Sequence, residues 1–155
     1  MSGKLIGSLI VITALVAGIA IYYLQVYAFY EQLPSEEVEI RLTGLVTGAP
    51  EPILIGDVEA IDSDSSPLRF RACFTTASSI AALSEEFHIY DAAEPLNAPD
   101  WFSCFDAAAV GVALKSGDAV AFLGERNIHD GVDRVVAVFE DGRAYAWHQL
   151  NEAYD

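Results

Sequence analysis

Two cysteines, Cys73 and Cys104, are the residues of this sequence best suited to covalent chemistry. Their separation of about 30 residues matches neither a C-x-x-C redox motif nor a compact zinc knuckle. In a domain outside the cytoplasm, an even pair of cysteines is typical of a disulfide. We therefore expect a structural bridge, and the alternative is that Cys73 acts as a nucleophile beside a histidine.

Three histidines, His88, His129 and His148, could hold zinc or copper together with Asp130 or Asp133. The first two histidines are 41 residues apart and the last two are 19 residues apart, so no pair has the close spacing of a local metal motif. We therefore favour isolated histidines and expect neither a metal site nor a cofactor.

The segment GERNIHDGVD, residues 124–133, is the most polar and turn-rich stretch between two apolar strands. Because loops of this kind often carry function, its residues Arg126, Asn127, His129 and Asp130 could bind a ligand or a partner. The alternative, which we favour, is an ordinary hairpin connection in which a glycine adopts an unusual backbone angle.

The sequence shows no recognisable enzyme motif: it contains neither a G-x-S-x-G elbow nor a glycine-rich phosphate loop. Its formal charge is −15, and the part after residue 30 carries all 23 acidic residues and every Lys or Arg except Lys4, for a charge of −16. Nucleic-acid binders need clustered Lys and Arg, which argues against that class. The charge suits solubility, cations or a basic partner.

The pattern of apolar and polar residues around these candidates predicts an α+β fold with a mainly antiparallel sheet and two short helices. The dipeptide Asp141-Gly142 predicts a hairpin turn. Alternation in LRFRACF places Cys73 on the opposite face from Phe70 and Phe74. Each helix follows a serine or aspartate that can cap it. The predicted strands are residues 38–46, 53–61, 68–74, 119–123, 132–139 and 142–150, and the predicted helices are 78–86 and 106–115.

The longest element is the N-terminal run LIGSLIVITALVAGIAIYYLQVYAFY, residues 5–30, which has no charged residue. At about 1.5 Å per residue it can cross a bilayer as one helix. It is too long for the apolar region of a signal peptide and lacks a small-x-small cleavage site at its end. We predict a retained transmembrane helix that ends in an aromatic belt of Tyr22, Tyr23, Tyr27, Phe29 and Tyr30.

The flanking charges predict the orientation of this helix. Lys4 and the amino terminus are the only positive groups before it, whereas acidic residues follow it. By the positive-inside bias, the N-terminus lies in the cytoplasm and the rest of the chain lies outside. The chain then divides into an anchor (residues 1–30), a linker (31–37) and an outer domain (38–155).

One side of the predicted helix carries small residues. Gly3, Gly7, Ala14 and Gly18 recur at spacings of four, seven and four, and Gln25 follows seven residues later. Small residues let another helix approach closely, and an amide in the membrane gains from a hydrogen-bonding partner. Because Gly and Ala are also common in membrane helices, the pattern fits a helix that packs against a partner helix and equally a helix that has no such partner.

Four stretches carry a family resemblance: MSGK, AIYYLQVYAFYE, RFRACF and AVAFLGERNIHDGVDRVVAVFEDGRAYAWHQLN. Over nearly its whole length the chain resembles an uncharacterised family of small single-span membrane proteins in alphaproteobacteria of the Rhodobacter type. The resemblance implies an inner-membrane anchor, a periplasmic domain and no assigned activity.

These observations together predict a non-enzymatic accessory subunit or assembly factor of a membrane complex. Its helix would pack against an integral membrane complex, respiratory or photosynthetic, and its acidic domain would attract a basic periplasmic protein. A periplasmic metal-handling or redox protein is the alternative, and a ligand-sensing domain that signals through the helix is a third hypothesis.

Overall fold

The computed structural model describes residues 2–152 and has the α+β architecture that the sequence predicts. Helix α1 (Gly3–Tyr23) continues into a π-helical turn (Leu24–Ala28), and a domain built on an antiparallel sheet follows. The domain contains helices α2 (Ile80–Glu86) and α3 (Ala107–Ser116) and strands β1 (Glu31–Leu33), β2 (Arg41–Thr43), β3 (Pro50–Pro52), β4 (Gly56–Asp62), β5 (Arg71–Thr75), β6 (Ala119–His129), β7 (Val132–Phe139) and β8 (Arg143–Leu150).

The N-terminal helix is long and apolar enough to span a membrane. Helix α1 and the π-helical turn form one run of 26 residues, Gly3–Ala28, and none of these residues is buried. This exposure distinguishes it from the core helix of a soluble protein, whose apolar faces pack against the rest of the chain. The rings of Tyr23 and Tyr27 stack at its C-terminal end, with centroids 5.8 Å apart.

Six strands form the main sheet in the order β1-β4-β5-β8-β7-β6, and every neighbouring pair is antiparallel. Strands β7 and β8 are joined by a tight turn at the predicted hairpin, where Gly142 has φ 88°. A Cβ on Gly142 would lie 2.8 Å from the carbonyl oxygen of Thr76, so the turn requires glycine for two reasons.

Both faces of the sheet are buried, so the domain has three layers. On one face Phe70 and Phe74 pack with α2 and with the two-stranded β2–β3 sheet. On the other face Cys73 and Trp147 pack with α3 and with the loop before it. Residues along β5 therefore serve two cores in alternation, as the pattern of LRFRACF predicts.

Residues 31–37, the predicted linker, are structured. They contain β1, which pairs with β4 at the edge of the sheet, and a 3-10 turn at Ser35–Glu37. The oxygen Oγ of Ser35 also donates a hydrogen bond to the carbonyl of Val58 at 3.0 Å. The helix therefore passes directly into the sheet, without a free connecting segment.

Several predicted strand boundaries differ from the structure, and the strands predicted at 53–61 and 68–74 are β4 and β5, which each begin three residues later. The strand predicted at 38–46 shortens to β2, because the chain turns at Gly44, whose amide donates to the carbonyl of Ala49 at 3.0 Å. The interval between the strands predicted at 38–46 and 53–61 contains the proline-rich stretch GAPEP (residues 48–52), and there the structure forms β3, which pairs with β2. Strand β6 continues to His129, so most of the segment predicted as a loop at 124–133 is strand.

Both helices of the domain begin and end where local signals place them. The Ser79 hydroxyl accepts a hydrogen bond from the amide of Ala82 at 3.2 Å, and the Asp106 carboxylate accepts one from the amide of Ala109 at 3.0 Å. Helix α3 ends at Gly117, which has φ 86°.

Cys73 of β5 and Cys104 of the loop before α3 form a disulfide across 31 residues of sequence. The bridge fixes that loop to the second face of the sheet. Reduction should lower the free energy of unfolding by about 3–4 kcal/mol, because it removes the constraint on the unfolded chain. Denaturant unfolding of the full-length protein in detergent, with and without reductant, measures this difference.

The matched control is the double variant C73A/C104A, whose unfolding should not respond to reductant. Equal stability of the oxidised and reduced wild-type protein would contradict a stabilising role for the bridge.

Candidate functional site

The small residues predicted for helix packing lie on one open face of α1. Gly3, Gly7, Ala14 and Gly18 fall within about 60° of each other on an α-helix of 3.6 residues per turn. A Cβ added at any of the three glycines would meet no atom within 4 Å. Gln25 belongs to the π-helical turn and lines a cavity of about 300 Å³ against residues 97–100 of the domain.

The end of the helix is attached to the domain through Trp101. The last carbonyls of a helix have no partner within it, and here the indole Nε1 of Trp101 donates to the carbonyl of Val26 at 2.6 Å. The Trp101 ring stacks on Tyr27 and meets Tyr30 edge-on, with centroids 6.2 and 5.9 Å away. Arg69 lies 5.2 Å from the Tyr30 ring centre. These contacts, here called the Trp101 junction, hold the helix end against the domain.

Two buried polar side chains of the sheet hold the loop that carries Trp101. Arg71 donates to the carbonyls of Leu96 and Asn97, each at 2.9 Å. Gln149 donates to the carbonyl of Ala92 at 2.9 Å. Burial lowers the pKa of Arg71 to about 10, so it remains charged at neutral pH.

Two of the four residues predicted in the 124–133 segment meet at a buried carboxylate. The side chain of Asp133 is fully buried. Its Oδ1 accepts hydrogen bonds from the Asn127 amide and from Asn151 Nδ2, both at 2.9 Å. Its Oδ2 accepts one from the Tyr90 hydroxyl at 3.1 Å and lies 3.8 Å from Nη1 of Arg126. Burial, and then Asp133, raise the pKa of Tyr90 to about 12.

The other two predicted residues lie apart from this carboxylate. Asp130 is exposed in the turn with Gly131, which has φ 70°. The ring of His129 lies 5.8 Å from that of His148. The sequence prediction missed Asp133 as the centre of the cluster, although a charged residue next to a run of apolar strand residues is a usable signal.

His148 is a buried structural residue. Its Nδ1 lies 2.7 Å from the carbonyl of Pro67, and its Nε2 accepts a hydrogen bond from Nε of Arg134 at 3.0 Å. Both ring nitrogens are therefore occupied. Among residues 2–152 no group of three His, Cys, Asp or Glu side chains could hold a metal ion.

The Asp133 cluster should contribute strongly to the stability of the fold. D133N replaces an accepting oxygen with an NH₂ group that faces donors, which should cost about 2–4 kcal/mol of unfolding free energy. The matched control D130N changes an exposed turn residue and should stay within about 0.5 kcal/mol. Denaturant unfolding of both variants measures the difference, and equal stabilities would contradict the assignment.

The buried His148 should make stability depend on pH. Burial, aided by the charge of Arg134, lowers its pKa from an ordinary value of 6.5 to about 3. Between these values only the unfolded chain binds the proton, so stability is complete above pH 6.5 and falls as the pH decreases. Between pH 7 and pH 5 the wild-type protein should lose about 2 kcal/mol more than H148Q. If the free energies of unfolding of the wild-type protein and of H148Q fell in parallel between pH 7 and pH 5, this would contradict a neutral buried imidazole at His148.

A comparison with known protein families finds one family that matches the folded domain. The profile of a family of unknown function, DUF6446, matches residues 40–155, a range that begins after β1 and contains the disulfide and the Asp133 cluster. No curated protein and no solved structure matches the chain. The match agrees with the resemblance to an uncharacterised family. The chain belongs to DUF6446, a family of unknown function.

Proposed function

We propose that this protein is a non-enzymatic accessory subunit or assembly factor of a membrane complex in a bacterial inner membrane. The observation that carries the proposal is the apolar helix of 26 residues, none of which is buried in its own chain. A surface of this kind needs lipid or other membrane helices around it. The open face with Gly7, Ala14 and Gly18 supports close approach of a second helix.

The charges and the disulfide support a periplasmic position for the domain. Lys4 lies in the first turn of the helix, before its uncharged apolar run, and Glu31 is the first charged residue after that run. The bridge between Cys73 and Cys104 suits an oxidising compartment. The domain's charge of −16 favours association with a basic periplasmic protein or with a basic surface of the complex.

The Trp101 junction supports a role in positioning the domain. Strand β1 begins three residues after the π-helical turn, and Trp101 binds the turn itself. A partner that contacts the helix would therefore also face the domain at a restricted distance from the membrane. This arrangement suits a protein that binds a complex both within the membrane and just outside it.

The test is purification of the tagged full-length protein in mild detergent, followed by mass spectrometry. We expect reproducible recovery of one integral membrane complex. The triple variant G7L/A14L/G18L should lose it, because leucine side chains prevent close approach on that face. The control V16L/A20L enlarges residues on the opposite side of the helix and should retain it.

One result would overturn the accessory role, and another would overturn the contact face assigned to the helix. Recovery of the protein alone would remove the accessory role. Equal recovery of the complex with both helix variants would remove the small-residue face as the contact.

A further inference from the structure

A cavity of about 350 Å³ lies between the β2–β3 hairpin, the segment after α2 and strand β6. Its volume is at the lower end of the range for small-molecule sites, about 300–1,000 Å³. The wall has an apolar part and a polar part. The apolar part includes Pro50, Ile89 and Leu123, and the polar part includes His88, Tyr90 and Arg126.

Backbone hydrogen bonds build the walls of this cavity. The amide of Leu123 donates to the carbonyl of His88 at 2.9 Å, and the amide of His88 donates to the carbonyl of Thr43 at 3.0 Å. The pairing of β6 with β7 is irregular between Leu123 and Glu125 and again before His129. Irregular pairing of this kind changes the direction in which side chains leave a strand. Arg126 lies in the second irregular interval, and it lines the cavity.

Arg126 retains hydrogen-bond donors for a ligand. Asp133 already accepts from three neutral donors. Its distance of 3.8 Å from Arg126 exceeds that of a hydrogen bond. The Arg126 side chain is 60% exposed, and a guanidinium has five N–H donors.

We propose that this cavity binds a small organic monocarboxylate with an apolar body. The planar fork of Arg126 matches a carboxylate in a two-bond arrangement, and His88 carries an N–H donor in either neutral tautomer. Pro50, Ile89 and Leu123 contact the apolar body. The domain's charge of −16 and the nearby Asp133 repel a dianion such as hydrogen phosphate more strongly than a monoanion, so the local donors of Arg126 and His88 favour a single carboxylate.

Calorimetric titration of the full-length protein in a non-ionic detergent tests this site, with empty micelles as the blank. The probes are benzoate, its neutral isostere benzamide, and inorganic phosphate. We expect benzoate to bind the wild-type protein at least tenfold more tightly than either benzamide or phosphate.

Two variants of Arg126 separate the role of its charge from that of its shape. R126Q should weaken benzoate binding at least tenfold. R126K keeps the positive charge beside Asp133 but loses the planar fork, so its affinity should fall between those of the wild type and R126Q. The control R143Q alters an arginine of nearly the same exposure, 57%, that pairs with Asp141 outside the cavity, and should bind benzoate as the wild type does.

Three outcomes would overturn the site. The first is no benzoate binding to the wild-type protein at about 10 mM, a concentration of the order used for weak ligands. The others are equal binding of benzoate and benzamide, and unchanged benzoate binding by both Arg126 variants. Tighter binding of phosphate than of benzoate would also overturn the assignment to a monocarboxylate. None of these outcomes bears on the membrane partner, so the two proposals fail independently.

Discussion

An apolar helix with no buried residue along its length needs lipid or other proteins around it, and among residues 2–152 only its C-terminal end contacts the domain. The helix ends in aromatic residues, and the ring of Trp101 from the domain stacks with them while its Nε1 donates to the carbonyl of Val26. Strand β1 follows almost at once and enters the sheet. Helix and domain are thus joined by packing, a hydrogen bond and a strand pairing.

Buried polar side chains hold several loops of the domain against the sheet. The sheet is covered on both faces, and one cover consists of α3 and a long loop with little regular structure of its own. Arg71 and Gln149 hold that loop through its carbonyls, and the disulfide fixes its end. Asp133 and His148 do the same for the far end of the β6–β7 hairpin and for the turn at Pro67. Each of these groups has a partner, which buried polar atoms require.

Local patterns were sufficient to predict part of the fold. The N-terminal helix, the two capped helices, the Asp141-Gly142 hairpin and the alternation around Cys73 all follow from spacing within a few residues. Strand β3 was missed because prolines at both its ends suggest a break, although a short edge strand tolerates them. The Trp101 junction and the Asp133 cluster were missed because Trp101 lies 75 residues from Val26 and Tyr90 lies 43 residues from Asp133 in sequence. Such contacts depend on the assembled sheet.

The most direct test of a partner in the membrane is photo-crosslinking in intact cells, with a photoreactive residue at Ala14 on the small-residue face or at Val16 on the opposite side. Association through that face predicts one discrete protein adduct from Ala14 and none from Val16. Adducts with lipid alone from both positions would contradict it.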